Sequence, residues 1–186
     1  MKFDSQRRRR ISTRLNGYDY SLAGAYFITA VTFQREKLFG EIANGEMKLN
    51  HRGEIVKEEW FTSANIRKEL LLFPDEFVVM PNHIHGIVWI VEEDEKRIVV
   101  GANGRSPLQK QPYPHMRPRS LSSFVAGFKS SVTKRSRDEL NETRIWQRNY
   151  HDRIIRNDRE LNAIRSYIEN NPRNWAEDEE NLVAGL

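Results

Sequence analysis

The sequence predicts a single α+β domain in which an antiparallel-rich sheet carries helices packed on one face. Three observations lead to this fold class. Runs of aromatic and β-branched residues predict strands, and apolar stripes at helical spacing predict helices. The elements alternate in the order strand, hairpin, helix, strand, strand, helix, strand, helix. The length of 186 residues suits one domain.

The first half of the chain opens with a strand and a small hairpin. Residues 25–33 are rich in aromatic and β-branched residues, which is typical of a strand. Asn44-Gly45 readily takes positive φ, so residues 38–41 and 46–49 on either side predict a hairpin. Residues 52–71 are polar with spaced apolar positions and predict an amphipathic helix.

A second pair of strands follows. Residues 77–80 and 83–91 are strand-like and are separated only by Pro81-Asn82, a pair suited to a tight turn, so we expect an antiparallel hairpin. Residues 92–118 hold four of the seven prolines and predict a long, irregular, basic loop. Loops of this length are usually functional or disordered.

The C-terminal part is predicted as helix, strand and helix. From Ser120 onward, apolar residues recur at helical spacing: Leu121, Phe124, Val125, Phe128 and Val132. Residues 149–156 predict a short strand. Asn157 or Asp158 can cap the last helix, and Pro172 ends it. The predicted division is a basic arm (1–16), one domain (17–175) and an acidic tail (176–186).

The composition excludes several classes of protein. The chain has no cysteine, which excludes a disulfide scaffold, a cysteine nucleophile and cysteine-ligated metals. No apolar run reaches the roughly 18 residues of a membrane-spanning helix. The N-terminus lacks the apolar stretch of a secretory signal. We therefore expect a cytoplasmic protein with no membrane partner.

Positive charge is concentrated in two blocks, although the formal net charge is only +4. Residues 101–137 contain lysines and arginines but no acidic residue, and residues 1–14 contain Arg7, Arg8, Arg9 and Arg10. Such blocks indicate a polyanion partner. The alternative interpretation is a disordered arm and a solvated loop.

The clearest candidate metal ligands are His83 and His85. Alternate residues of a strand share a face, so these side chains point the same way with Cα atoms about 6.6 Å apart. Neutral imidazoles at that separation can converge on one divalent ion. A His-x-His tripeptide alone is a weak motif, but this pair begins a strand directly after a turn, where a sheet can present ligands at its rim.

Tyr167 and Asn171 are the candidate partners of the histidines. They lie at i and i+4, on the same face of the last predicted helix. The Asn171 amide oxygen could be a third ligand, and the Tyr167 hydroxyl would then lie beside the metal. A divalent cation stabilises phenolate and the charge on a phosphoryl oxygen. On the helix pattern alone, a half-buried packing residue is the favoured interpretation of Tyr167.

These residues resemble the REP-associated tyrosine transposases, single-tyrosine relatives of the histidine–hydrophobic–histidine nucleases that act on single-stranded DNA. The resemblance runs from about residue 8 to residue 175. The motifs that carry it are Gly17-Tyr18-Asp19-Tyr20, Gly24-Ala25-Tyr26-Phe27, Val79-Met80-Pro81-Asn82-His83, His83-Ile84-His85, Phe128-Lys129-Ser130, Ile145-Trp146-Gln147-Arg148-Asn149-Tyr150-His151 and Tyr167-Ile168-x-x-Asn171-Pro172.

The resemblance implies a ferredoxin-like fold with the histidines on a central strand and Tyr167 on a C-terminal helix. It implies Mg²⁺ or Mn²⁺ held by His83, His85 and Asn171. It also implies that the protein cleaves and rejoins single-stranded DNA at hairpins (REP-like palindromes) through a 5′-phosphotyrosine, as a monomer or a homodimer. His151 is a candidate neighbour of the active site, and Tyr150 is the rival nucleophile.

The resemblance implies that the two basic blocks bind DNA, because arginine and lysine bind its phosphates. Aromatic residues near them are candidate platforms on which unpaired bases stack. The residues predicted to bind DNA are Arg7, Arg8, Arg9, Arg10, Arg117, Arg119, Lys129, Lys134, Trp146 and Arg148. Two other functions remain open: a non-catalytic regulator that binds DNA or RNA hairpins, and a small nickase of the replication-initiator type.

Overall fold

The computed structural model describes residue 15, residues 17–91 and residues 119–181. The arm with Arg7 to Arg10, Arg117 and the loop 92–118 therefore lie outside the described residues. The helices and strands in chain order are β1 (Gly24–Val31), β2 (Gly40–Ala43), β3 (Glu46–Leu49), α1 (His51–Ile66), β4 (Leu70–Leu71), β5 (Phe77–Val79), β6 (His83–Ile90), α2 (Leu121–Leu140), β7 (His151–Ile155) and α3 (Asp158–Asn170). The α+β class is confirmed. Across the described ranges, no helix combines the length and apolarity needed to cross a bilayer.

The main sheet has the strand order β4-β6-β1-β7, with β5 also paired to β6, and all its pairings are antiparallel. β1 and β6 are the central strands and pair from Gly24 with Ile90 to Val31 with His83. Along the chain, α1 follows β1 and precedes β4 and β5, and α2 follows β6 and precedes β7. This order and connectivity are the ferredoxin-like arrangement, as expected.

The two faces of the sheet pack against different helices. On one face, Ile28, Ile84 and Val88 belong to a core that includes Trp60 of α1 and Phe128 of α2. On the other face, a second apolar cluster joins α3 to the sheet through Ala25, Ile87, Ile155, Leu161, Ile164 and Ile168. The prediction of one helix-bearing face thus holds for α1 and α2, whereas α3 covers the opposite face. Both central strands carry buried apolar residues on both faces, and the apolar residues of the second face accept α3.

The predicted helix over residues 52–71 ends early, at Ile66. Arg67 leaves the helical region because its guanidinium donates hydrogen bonds to the hydroxyl and the carbonyl of Ser123 on α2, at 2.9 and 2.8 Å. Leu70 and Leu71 then form β4 against Ile90 and Trp89 of β6. A tertiary contact therefore overrides the helical pattern.

The predicted turns and caps are present. Asn44 and Gly45 have φ of 56° and 75°, and the hairpin β2–β3 forms around them. β5 and β6 pair around Pro81-Asn82. Asn157 is the residue that caps α3, because its side chain accepts the backbone N–H of Glu160 at 2.9 Å.

Gly86 allows Trp60 to pack directly on β6. A Cβ at position 86 would lie 2.5 and 2.6 Å from two ring carbons of Trp60 and 3.1 Å from Phe77. Trp60 is fully buried and cannot yield without disturbing the core. We expect Gly86→Ala to lower the free energy of unfolding by about 1–3 kcal/mol, measured by urea denaturation.

Gly127→Ala is the matched control. In α2, a Cβ at this position meets only the end of the flexible Arg67 side chain, at 3.4 Å. Alanine is favoured over glycine in a helix by about 1 kcal/mol, so this variant should be as stable as the wild type or more stable. Equal destabilisation by both substitutions would contradict this account of Gly86.

Candidate active site

β6 places His83 and His85 on the face of the sheet that α3 covers. They alternate with Ile84, which points into the opposite core. His83 and His85 are 0% and 3% exposed, and their ring centroids lie 4.4 Å apart. The shared face that strand alternation predicts is therefore present, and it buries two imidazoles next to each other.

His83 has a defined tautomer. Its Nδ1 lies 2.8 Å from Oδ1 of Asn82. The Asn82 amide nitrogen donates to the backbone carbonyls of Arg35 and Glu180, at 3.2 and 2.6 Å, so Oδ1 is the acceptor and Nδ1 of His83 carries the proton. Nε2 of His83 is then a buried lone pair, and it has no hydrogen-bond partner among the residues that the structure describes.

His85 joins the sheet to the candidate nucleophile. Its Nδ1 lies 2.8 Å from the hydroxyl of Thr29, the residue directly opposite on β1. Its Nε2 lies 3.0 Å from the hydroxyl of Tyr167 on α3. Phe27 stacks on the His85 ring with centroids 5.3 Å apart. The contacts at both ring nitrogens and the Phe27 ring on one face therefore fix the orientation of the His85 ring.

Burial favours the neutral form of both imidazoles. Burial lowers the pKa of His83 from 6.5 to about 4; the nearby Asp178 carboxylate opposes this shift and the Arg35 guanidinium adds to it. Burial also lowers the pKa of His85 well below its usual range, and the adjacent His83 contributes. The neutral form is the one whose ring nitrogen can bind a metal ion.

Asn171 and Asp178 complete the polar cluster. Asn171 directly follows α3 and is 2% exposed. Its amide nitrogen donates to Oδ2 of Asp178 at 2.9 Å. Its Oδ1 is buried, and no hydrogen-bond partner for it exists within the described ranges. Oδ2 of Asp178 lies 4.0 Å from Nε2 of His83.

The cluster is suited to a divalent cation. One ligand atom each from His83, His85 and Asp178 lies within 4.8 Å of the others. The buried, unpartnered Nε2 of His83 and Oδ1 of Asn171 add two acceptors with no donor to satisfy them. Neutral imidazole, carboxylate and amide oxygen are ligands that divalent metals accept, so the residues fit the predicted metal.

Asp178 was missed at the sequence level, because it falls in the segment predicted as an acidic tail. The described part of that segment folds over the histidines: the 3₁₀ turn Trp175–Glu177 places the Trp175 ring 5.9 Å from the His83 ring. The available signal was an acidic run that includes Asp178, which is seven residues beyond Asn171. Only the fold shows that this run returns to β6.

Tyr167 lies at the border between the buried histidines and solvent. Its side chain is 45% exposed, and its ring packs edge-on against Phe27 with centroids 6.1 Å apart. The Tyr167 side chain is therefore accessible from solvent. Tyr150, the rival nucleophile, packs instead against the core on the opposite face of the sheet.

His151 is exposed and lies opposite Thr29 in the pairing of β7 with β1. This places it two strands from His85, on the same face of the sheet.

Two of the predicted DNA-binding residues take part in packing. Lys129 is predicted to bind DNA, but its ammonium donates to the carbonyls of Gln147 and Asn149 at 2.8 and 2.9 Å. Burial lowers the pKa of Lys129 to about 8. The Trp146 ring packs against Phe39 and Phe128, with centroids 5.2 and 5.7 Å away. The reason is that the segment before β7 folds back over α2. The remaining described candidates, Arg119, Lys134 and Arg148, are exposed.

Comparison with known proteins places the chain among relatives. No family model matches the sequence. A Haemophilus influenzae protein of unassigned function is 37% identical over 182 residues, which is 96% of each chain. A second H. influenzae protein, provisionally assigned as a REP-associated tyrosine transposase, is 25% identical over 157 residues, covering 83% of this chain and 73% of that protein.

The structure is similar to that of a REP-associated tyrosine transposase solved with a bound REP hairpin. The TM-score is 0.53 at 18% sequence identity, over 83% of this chain and 69% of that chain. A likeness at this identity establishes the shared fold. The chain therefore belongs to the same family as the 37% identical H. influenzae protein, and the resemblance to the REP-associated tyrosine transposases that its motifs predict is confirmed.

Proposed function

We propose that the protein is a metal-dependent single-tyrosine transposase that binds single-stranded DNA hairpins and cleaves and rejoins DNA through a 5′-phosphotyrosine. The observation that carries the proposal is the 3.0 Å contact between the Tyr167 hydroxyl and Nε2 of His85, beside a cluster suited to a metal. A hairpin substrate is supported by the REP hairpin bound to the structural relative.

The reaction is a phosphoryl transfer. The Tyr167 oxygen attacks phosphorus as the P–O3′ bond breaks, the phenol loses its proton and the departing 3′ oxygen gains one. The products are a 5′-phosphotyrosine and a free 3′-OH, so no water is consumed. Attack by another 3′-OH on the phosphotyrosine rejoins DNA and releases the tyrosine. Such chemistry depends on positioning and on stabilised charge.

His83, His85 and Asn171 are the proposed metal ligands, and Asp178 is a further one. Mg²⁺ or Mn²⁺ bound there would stabilise negative charge on the phosphoryl oxygens and on the phenolate. The protein's own contribution is orientation. Asn82 and Thr29 bond the Nδ1 atoms of the two histidines. This directs Nε2 of His85 toward Tyr167 and Nε2 of His83 toward Asp178.

One chain supplies every proposed catalytic group, because Tyr167 of α3 reaches His85 of β6 within the same molecule. The proposed mechanism therefore requires no residue from a second copy, and it applies to a monomer or to a homodimer. His151 is the proposed neighbour on the exposed part of this sheet face. The proposed phosphate contacts come from the exposed residues Arg119, Lys134 and Arg148. They also come from basic residues outside the described ranges: Arg7, Arg8, Arg9, Arg10 and Arg117.

The first test uses Tyr167→Phe. The wild-type protein, incubated with Mn²⁺ and a labelled DNA hairpin carrying single-stranded flanks, should form a covalent adduct that survives a denaturing gel. Tyr167→Phe should form no adduct and keep its hairpin affinity within about threefold, because affinity comes mainly from phosphate contacts.

Tyr150→Phe is the matched control and should form the adduct at the wild-type level if it remains folded. An adduct that persists in Tyr167→Phe would overturn the assignment of the nucleophile. Hairpin binding by the wild type without any adduct would favour the non-catalytic regulator.

The second test concerns the metal. His83→Ala should lower Mn²⁺ affinity, measured by calorimetry, by well over the roughly 10–100-fold typical of losing an outer-shell partner. Asn171→Ala and Asp178→Ala separate the two oxygen donors, since the stronger ligand is the one whose loss weakens Mn²⁺ binding more. His51→Ala removes an exposed histidine that pairs with Glu139 and serves as the control. Unchanged Mn²⁺ affinity in His83→Ala would contradict the proposed site.

A further inference from the structure

We propose that Arg35 binds a phosphate of the DNA strand at the active site, and that the Glu180 carboxylate takes the place of that phosphate in this structure. The inference rests on the proposed function, because it requires DNA at the histidine cluster. It adds a cationic residue to a site that the sequence described only by its histidines, tyrosine and asparagine.

The first observation is the partner of Arg35. Its Nη1 lies 2.8 Å from Oε2 of Glu180, and its side chain is 37% exposed. Carboxylate and phosphate are the two anions that the planar guanidinium fork binds best. A guanidinium that holds a carboxylate at a half-open position is therefore equipped to hold a phosphate oxygen there.

The second observation is the backbone. Gln34 and Arg35 have φ of 53° and 58°, the left-handed region that residues other than glycine rarely adopt. The Thr32 hydroxyl, which donates to the Glu36 carbonyl at 2.7 Å, and the Asn82 amide, which donates to the Arg35 carbonyl at 3.2 Å, hold this turn. Strain maintained by surrounding contacts is characteristic of functional turns.

The third observation is the link to the histidines. Asn82 is 2% exposed, and its single amide group contacts the Arg35 carbonyl, the Glu180 carbonyl and Nδ1 of His83. The same side chain that sets the His83 tautomer therefore also sets the position of the Arg35 turn. A phosphate bound by Arg35 would lie beside the proposed metal ligands, where a fixed cation stabilises charge that develops on phosphoryl oxygens.

The competing explanation is that Arg35 has only a structural role: its ion pair with Glu180 holds the C-terminal segment against the rest of the fold. The two explanations diverge when Glu180 is neutralised. If Arg35 has only a structural role, removing it from Glu180→Gln leaves the salt slope of DNA binding unchanged. If Arg35 binds phosphate, Glu180→Gln removes the competing carboxylate, and removing Arg35 from that variant then lowers the salt slope of DNA binding.

The experiment compares Glu180→Gln with the double variant Arg35→Gln/Glu180→Gln. The probe is a fluorescein-labelled DNA hairpin with single-stranded flanks, and the readout is log K against log salt. We expect the double variant to lose about 0.7 from the slope, the value of one phosphate contact on a single strand. Arg35→Lys/Glu180→Gln keeps a positive charge and should retain most of that slope.

Lys57→Gln/Glu180→Gln is the control, because exposed Lys57 lies on α1, against the opposite face of the sheet. It should match Glu180→Gln. Equal slopes for Arg35→Gln/Glu180→Gln and Glu180→Gln would overturn the proposal, and so would an equal loss in the Lys57 control. A protein that fails to bind the probe at any salt concentration would contradict both this proposal and the proposed function.

Adduct formation provides a second readout. Removal of Arg35 from Glu180→Gln should slow it about 100-fold, as loss of a charge-stabilising donor does in other active sites. An unchanged rate with a reduced slope would restrict Arg35 to substrate binding. If no variant forms an adduct, the transposase function fails, whereas the salt slope still decides whether Arg35 binds phosphate.

Discussion

The structure depends on the pairing of β1 with β6. These two central strands pair over their full length, and both of their faces are buried. One face takes the aromatic core around Trp60, for which Gly86 makes room. The other face carries Thr29, His83 and His85, so the same ladder of backbone hydrogen bonds that builds the core also aligns the polar cluster.

Burying two imidazoles on that second face has a cost that the surrounding residues offset. A buried polar nitrogen needs a partner, and Asn82 and Thr29 supply one for each Nδ1. Nε2 of His85 is then turned toward α3, where it meets Tyr167. Nε2 of His83 faces Asp178 at 4.0 Å and remains without a hydrogen bond in the described part of the chain. Clusters of unpartnered acceptors of this kind are expected where a cation belongs.

Local pattern was sufficient for most of the fold. Strand alternation predicted that His83 and His85 share a face, the Asn44-Gly45 pair predicted its hairpin, and Pro172 predicted the end of α3. The prediction failed where a distant contact decides the backbone. Arg67 ends α1 because it binds Ser123, and Lys129 is covered because the segment before β7 folds over α2. Neither contact leaves a periodic signal in the sequence.

By itself, the sequence determined the α+β class, the family resemblance and the four residues His83, His85, Tyr167 and Asn171 as candidates, since these follow from short-range spacing on one strand and one helix. Only the tertiary structure decided that α3 covers the face opposite α1 and α2, that Asp178 lies beside His83, and that Asn82 contacts both His83 and the Arg35 carbonyl. The physical reason is the separation in sequence between the residues that come into contact. Spacing along a strand or helix specifies which side chains share a face, whereas the return of a chain end onto a sheet depends on packing between segments far apart in the sequence.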